Sequence, residues 1–348
     1  MNYNLRECTN KDEWNDFLNS YPPTQSGVPV VTFVQSFEWI EFQKSLDKKS
    51  FALGIYNGDS LVGVAACVFI DAKRGKYLYV RNGPVIDWDN KVLVDFTMFA
   101  LKKFAESLGA WFVRISPLVE KGSIGERNIK SHKRIQSPMF DVEALDTWIM
   151  AIDKDEEELL SSAKKKNRYE IKKAITDQSL EPEIYSDSSK LEEFYKILED
   201  TVERQKWVSY SFEYIKNEFD AFANDNLASL VLIKHDNKYI AGGIFIHYAG
   251  QTFYHYGASL SEYSKIPGPY RVIWEAIKEA QRRNNKFFNF WGIAPENKPD
   301  HPWIGITRFK QKFPGFEQRW MPASDLPVGK KYWLTNFYER VDKYQKGY

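Results

Sequence analysis

Across 348 residues, 48 Lys and Arg offset 47 Asp and Glu to a net charge of +1, which excludes a general polyanion binder and leaves any nucleic-acid contact to a local patch. Two cysteines, Cys8 and Cys67, and five scattered histidines exclude a disulfide framework and show no metal-ligand spacing. A hydrophobic fraction of 43%, with no apolar leader and no run long enough to cross a bilayer, predicts a cytoplasmic two-domain chain without a transmembrane segment.

Residues 11–19 place Trp14, Phe17 and Leu18 at helical spacing, and Pro22, Pro23 and Pro29 then force a loop. Gln35-Ser-Phe-Glu-Trp39 opens a second short helix, with Trp39, Phe42, Gln43 and Leu46 on neighbouring turns. Apolar runs at 51–56 and 61–70 flank Asn57-Gly58-Asp59, a strong hairpin signal, and Cys67 reads as a core residue of the second run. A strand at 76–80 leads into Asn82-Gly83-Pro84, an amphipathic helix spans 91–107, and 110–115 is a further strand. The same order returns about 180 residues later. A hairpin at 230–234 and 240–248 precedes a strand at 253–256, a helix at 270–283 and a strand at 287–291. Such repetition marks a tandem duplication. Each copy predicts a mixed sheet flanked by helices (α/β or α+β), with the strands on either side of the helix parallel. Hairpin, strand, helix, strand is also the middle of an acyltransferase fold of the GNAT type.

Between the copies lie a variable-looking stretch at 118–137, a strand at 147–152, and a helix at 156–175 carrying Lys164, Lys165, Lys166, Arg168, Lys172 and Lys173. That basic face could meet nucleic acid or be neutralised by the acids at 153–158. Helices at 189–204 and 212–222 follow. The tail, 317–348, is expected to pack back on a domain because Trp320, Trp333 and Phe337 need burial. The predicted domains are 1–146 with 317–348, and 147–316.

The most informative stretch is 287–316. An apolar strand breaks at Gly292 into a long loop punctuated by Pro295, Pro299, Pro302 and Gly305, which delivers Lys310 between Phe309 and Phe313. Strand ends followed by such loops carry the chemistry of α/β folds. Lys310 reads either as a charge positioned in a partly dry site or as a solvated lysine on a turn. His255 lies between Tyr254 and Tyr256 on a strand, so alternation points it away from both, and no general base is evident.

In order along the chain stand Gln35–Trp39, Tyr79-Val-Arg-Asn-Gly-Pro-Val85, Val113-Arg-Ile-Ser-Pro117, the basic stretch 168–174 and Val202-Glu-Arg204. Phe253-Tyr-His-Tyr-Gly-Ala-Ser259, 269–276, Phe290-Trp-Gly-Ile293 and Arg308-Phe-Lys-Gln-Lys-Phe-Pro-Gly315 complete the series. Together they resemble the FemABX family, aminoacyl-tRNA-dependent ligases that add residues to peptidoglycan stem peptides. The resemblance implies two tandem GNAT-like domains, the first on the acceptor side and the second carrying the Phe-Lys loop. Residues 219–227 leave no room for a coiled-coil arm, as in the short members. It also implies Lys310 as the residue that stabilises the reaction's oxyanion, with Phe309 at the site wall. Tyr214 and Tyr256 would line the acceptor site and Trp39 would contact substrate, while Lys165 and Arg168 of the basic helix are candidate tRNA contacts or part of a solvated face. Aminoacyl-tRNA would be co-substrate with no further cofactor and no metal. The acceptor would be UDP-MurNAc-pentapeptide or lipid II, met at the inner membrane face by peripheral association.

Three substrate-binding positions depart from that pattern. Gln43 stands where a phosphate-holding lysine is expected, Tyr210 where an arginine is expected, and Ser116 where an aspartate is expected. Losing two phosphate ligands favours a different mode of acceptor binding. Prolines at 84, 267 and 269 sit where a GNAT enzyme would cradle coenzyme A pyrophosphate on backbone N–H groups. A transferase with a non-peptidoglycan amine acceptor and a non-catalytic binding relative remain as alternatives.

Overall fold

The computed structural model describes residues 2–346 apart from 25, 26, 133, 140–142, 207 and 297. The chain divides into two units, residues 1–145 with 319–348 and residues 146–318.

The first unit opens with β1 (Tyr3–Glu7), α1 (Lys11–Asn19), α2 (Phe37–Ser45), β2 (Ser50–Asn57), β3 (Ser60–Ala72) and β4 (Gly75–Val80). It continues with β5 (Val85–Ile86), α3 (Lys91–Ser107), β6 (Phe112–Ile115), α4 (Ile124–Lys130) and β7 (Ile135–Gln136). Side chains one step ahead of three of these helices fix where they start: Asn10, Ser36 and Asn90 accept from first-turn N–H groups of α1, α2 and α3. The β2–β3 hairpin turns at Gly58, whose φ of 62° lies in the left-handed region. Leu53, Ile55, Ala65, Cys67, Leu78, Val80 and Val113 of the sheet pack with Val94, Met98 and Leu101 of α3 in a continuous core.

In the second unit come β8 (Asp146–Ala151), α5 (Glu156–Ser162), α6 (Lys165–Thr176), β9 (Glu181–Tyr185), α7 (Leu191–Gln205) and α8 (Phe212–Ala223). Then follow β10 (Ala228–His235), β11 (Lys238–Tyr248), β12 (Gln251–Ser259), α9 (Gly268–Arg282), β13 (Phe287–Gly292), α10 (Ile304–Lys310) and β14 (Phe316–Arg319). The tail adds β15 (Ser324–Pro327) and α11 (Tyr332–Lys346).

Both sheets are mixed. The first runs β1-β2-β3-β4-β6-β15-β7, with β5 also on β3, and the second β14-β8-β13-β12-β11-β10-β9. The hairpin, strand, helix and strand are present twice, and β4 pairs in parallel with β6 as β12 does with β13. The neighbours that complete the sheets are exchanged. β8, which follows the first copy in sequence, pairs antiparallel with β13, whereas β15, which follows the second copy, pairs antiparallel with β6.

Three expectations are corrected. The basic helix is not continuous over 156–175, because Ala163 is extended (φ −72°, ψ 144°) and buried, which separates α5 from α6. The stretch after Gly292 is not loop throughout, since α10 forms within it and ends at Lys310. In the tail Trp320 is buried, but Trp333 and Phe337 are 57% and 63% exposed, because α11 turns its polar side inward.

Candidate functional site

β12 and β13 pair in parallel over Gln251–Phe253 and Phe287–Asn289 among the described residues, and beyond those residues no ladder joins them. The end of β13 is distorted. A bulge against β8 lies between Asn289 and Gly292, and Trp291 adopts a φ of 62°, a conformation a bulky side chain rarely takes. The Asn289 side chain accepts from Trp291 N at 2.9 Å, and the Trp291 ring packs on Phe253.

Lys310 reaches this distorted strand end. Its Nζ donates to the Gly292 carbonyl at 2.7 Å, and the residue is only 7% exposed. Burial draws its ammonium down to about 7. The side chain is therefore a desolvated cation at the edge of losing its proton, not a solvated lysine on a turn. α10 is held in place by Thr307, whose hydroxyl accepts from Ala294 N at 2.7 Å. Phe309 is half-buried between Tyr270 and Phe313, with ring centroids at 5.5 and 5.8 Å, and Phe313 belongs to the core.

Tyr256 and Gly292 each lie three residues beyond the last paired residues of their parallel strands, so both stand where β12 and β13 part. Here the structure overturns the reading of His255. In the β11–β12 ladder Ile244 faces Tyr256 and Phe245 faces Tyr254, which leaves His255 as the extra residue of a β-bulge. The bulge resets the alternation, so His255 and Tyr256 turn to the same side, with ring centroids 4.3 Å apart. Tyr254 turns to the other side over Gly257, where an added Cβ would meet its hydroxyl at 1.7 Å. His255 Nε2 lies 2.9 Å from Glu218 Oε1, and the Tyr256 hydroxyl donates to Glu218 Oε2 at 2.8 Å. Burial, and then the Glu218 charge, pushes the Tyr256 phenol far above its usual range, which keeps it a donor. Sequence reasoning missed Glu218. Its signal is a carboxyl on the apolar face of α8, buried with Ile215, Phe219 and Phe222. Tyr214, in the first turn of α8, is stacked by Tyr210 at 4.0 Å, and Tyr210 is exposed.

Of the substrate-binding positions proposed for the first unit, Trp39 and Ser116 lie against the turn after β4. Trp39 is buried, with the Arg81 guanidinium 5.7 Å from its ring. Ser116 Oγ accepts from Asn82 N at 3.0 Å, which makes Ser116 a fastener of the turn after β4. Buried Gln43 accepts from Lys48 at 3.0 Å, while its Nε2 has no partner among the described residues. In α6, Lys165 is exposed, but Arg168 folds back on the Ser161 and Ala163 carbonyls at 2.5 and 3.1 Å and so caps the end of α5. Among the described residues no group of three His, Cys, Asp or Glu is arranged to hold a metal ion.

Against known proteins, the profile of the FemAB family matches residues 12–138 and 231–340. The lipid II:glycine glycyltransferase of Staphylococcus aureus (strain bovine RF122 / ET3-1) is 27% identical over 236 residues, 65% of this chain and 54% of that protein. The lipid II:glycine glycyltransferase of strain MRSA252 is 27% identical over 220 residues, 60% of this chain and 52% of that protein. The chain thus spans about half the length of the curated relatives it matches. Among solved structures, the crystal structure of FemX superposes with a TM-score of 0.84 at 19% identity, covering 97% of this chain and 100% of that one. A tandem GNAT protein from the clavulanic acid biosynthesis pathway gives 0.58 at 9%, covering 94% and 99%. These likenesses show the fold, two GNAT-like units in tandem. Because the family profile spans well over half of the chain and falls on both copies of the duplicated unit, this protein belongs to the FemAB family.

Proposed function

We propose that the protein is an aminoacyltransferase that moves an amino acid from aminoacyl-tRNA to the amine of a peptidoglycan-precursor stem peptide, on the cytoplasmic side. The observation that carries this reading is Lys310, a desolvated cation fixed on the Gly292 carbonyl where two parallel strands part. In the reaction the amine attacks the ester carbonyl, a C–N bond forms and the carbonyl oxygen becomes an oxyanion. The tetrahedral species then collapses, the C–O bond to the tRNA ribose breaks, and the amine's proton leaves with the ribose hydroxyl. A fixed cation accelerates such a step because it stabilises charge that is present only in the transition state. Tyr256 and Tyr214 would bound the acceptor, with Glu218 and His255 holding Tyr256 in place.

Two features favour aminoacyl-tRNA over a coenzyme A thioester as donor. Pro269 removes a donor from the first turn of α9, and the N–H groups of Tyr270 and Arg271 already bond to the Pro267 carbonyl. For the acceptor, Gln43 and Tyr210 replace two cations expected to hold a nucleotide diphosphate, which disfavours that binding mode and leaves room for a lipid-linked precursor whose own diphosphate lies nearer the membrane. The names of the relatives point the same way.

The test is transfer of labelled amino acids from a mixed aminoacyl-tRNA pool to UDP-linked and lipid-linked precursors, with wild type and Lys310→Ala in parallel. Label is expected on the lipid-linked precursor and should fall by at least about 100-fold in the variant. Label on the UDP-linked precursor alone would correct the acceptor, and label on neither would overturn the assignment.

A further inference from the structure

The last helix is built inside out. Its inward side is polar: Tyr332 donates to Asp325, Asn336 donates to Tyr332, the Thr335 hydroxyl donates to the Arg74 carbonyl, and Glu339 pairs with Arg114. Gly75 permits this close approach, since a Cβ there would meet Thr335 Oγ1 at 2.4 Å. The outward side carries Trp333, Leu334, Phe337, Tyr338, Val341 and Tyr344, all exposed. Their spacing of three and four residues makes one stripe along a helix of 15 residues, or ~22 Å. A continuous apolar stripe of this size on a folded protein marks an interaction surface.

Charge around the stripe is one-sided. Lys330, Lys331 and Arg340 are exposed beside it, and Lys73 is exposed in the turn against which α11 packs. The acids of the helix are engaged elsewhere, Glu339 with buried Arg114 and Asp342 with Arg74 at 3.6 Å. We infer that α11 docks on a bilayer surface containing anionic phospholipid, its aromatic face lying at headgroup depth and its lysines and arginines meeting the lipid phosphates. Trp, Tyr and Phe flanked by basic residues suit that boundary. A second copy of the chain fits less well, because its α11 offers this basic flank no free acid: Glu339 and Asp342 are already paired within each chain. The inference supplies a surface for the peripheral membrane association that the resemblance leads one to expect, and its test needs neither tRNA nor precursor, so it can fail independently of the proposed reaction.

The measurement is co-sedimentation of the full chain with phosphatidylglycerol/phosphatidylcholine vesicles and with pure phosphatidylcholine vesicles. Binding is expected to be at least about tenfold tighter to the anionic vesicles and to weaken as salt rises. The double variant W333S/F337S should lose at least about tenfold in that partitioning with an unchanged Tm, since both side chains are exposed. The variant K330E/K331E, which leaves the apolar stripe intact, should lose the preference for anionic lipid. Absence of wild-type binding, or binding that survives W333S/F337S, would overturn the proposal. So would a wild-type dimer in sedimentation velocity that W333S/F337S dissociates while vesicle binding is absent.

Discussion

At the scale of a residue, Lys310 is held between two charge states. It donates to the Gly292 carbonyl, and burial brings its pKa down to about 7 from the usual 10.5. A step that needs the ammonium form should therefore lose rate as pH rises through about 7, read as a descending limb in kcat/KM for the free enzyme. Lys310→Met should remove that limb and lower kcat by about 10²–10³. The stability consequence has the opposite sense. Between about 7 and 10.5 the unfolded chain binds more protons at this site than the folded one, so stability rises with pH across that window. The burial penalty is fully present below about 7, where Lys310→Met should be the more stable protein by something on the order of a few kcal/mol. Urea denaturation at pH 6 and pH 10 checks this: the advantage should be largest at the lower pH. A variant that is inactive yet sturdier would mark Lys310 as a residue kept for chemistry at the expense of stability.

Between elements, the joint of α8 with the bulged strand β12 assembles a group that neither element announces. Glu218 is buried and holds both His255 and Tyr256. Glu218→Ala should destabilise the second unit by about 1–3 kcal/mol, because two hydrogen bonds to its buried carboxylate are lost. The same change should lower transfer by freeing Tyr256. Equilibrium unfolding and the transfer assay test the two effects separately. Most element identities could be read from sequence, since apolar periodicity, the Asn57-Gly58 turn and the helix starts are local signals. The side to which His255 points could not. Alternation along a strand is a rule about an unbroken ladder, and the bulge depends on how β11 and β12 register with each other. For the same reason the break at Ala163 escaped notice: the residue's own helix propensity is high, and its burial in the core decides its extended backbone.

For the whole molecule, the tail is tied to the first unit by an ion cluster that spans most of the chain. Arg114 of β6 donates to Asp325 of β15 at 2.8 and 3.0 Å and to Glu339 of α11 at 3.0 and 2.8 Å, and both Arg114 and Asp325 are buried. Arg114→Leu would leave those carboxyls without their cation and should destabilise the first unit by about 3–5 kcal/mol, measured by denaturant unfolding. The polar cluster also explains α11: once Asn336, Thr335 and Glu339 are satisfied inward, the aromatic stripe has only the outside to face. Sequence by itself determined the duplicated order of elements, the parallel pairing across each crossover helix, and the prominence of Lys310, because these follow from local periodicity and short connections. Only the tertiary structure decided which sheet β8 and β15 complete, which way His255 and α11 turn, and how far Lys310 is dried. Those depend on pairings between residues far apart in sequence, and on burial, which no single segment carries alone.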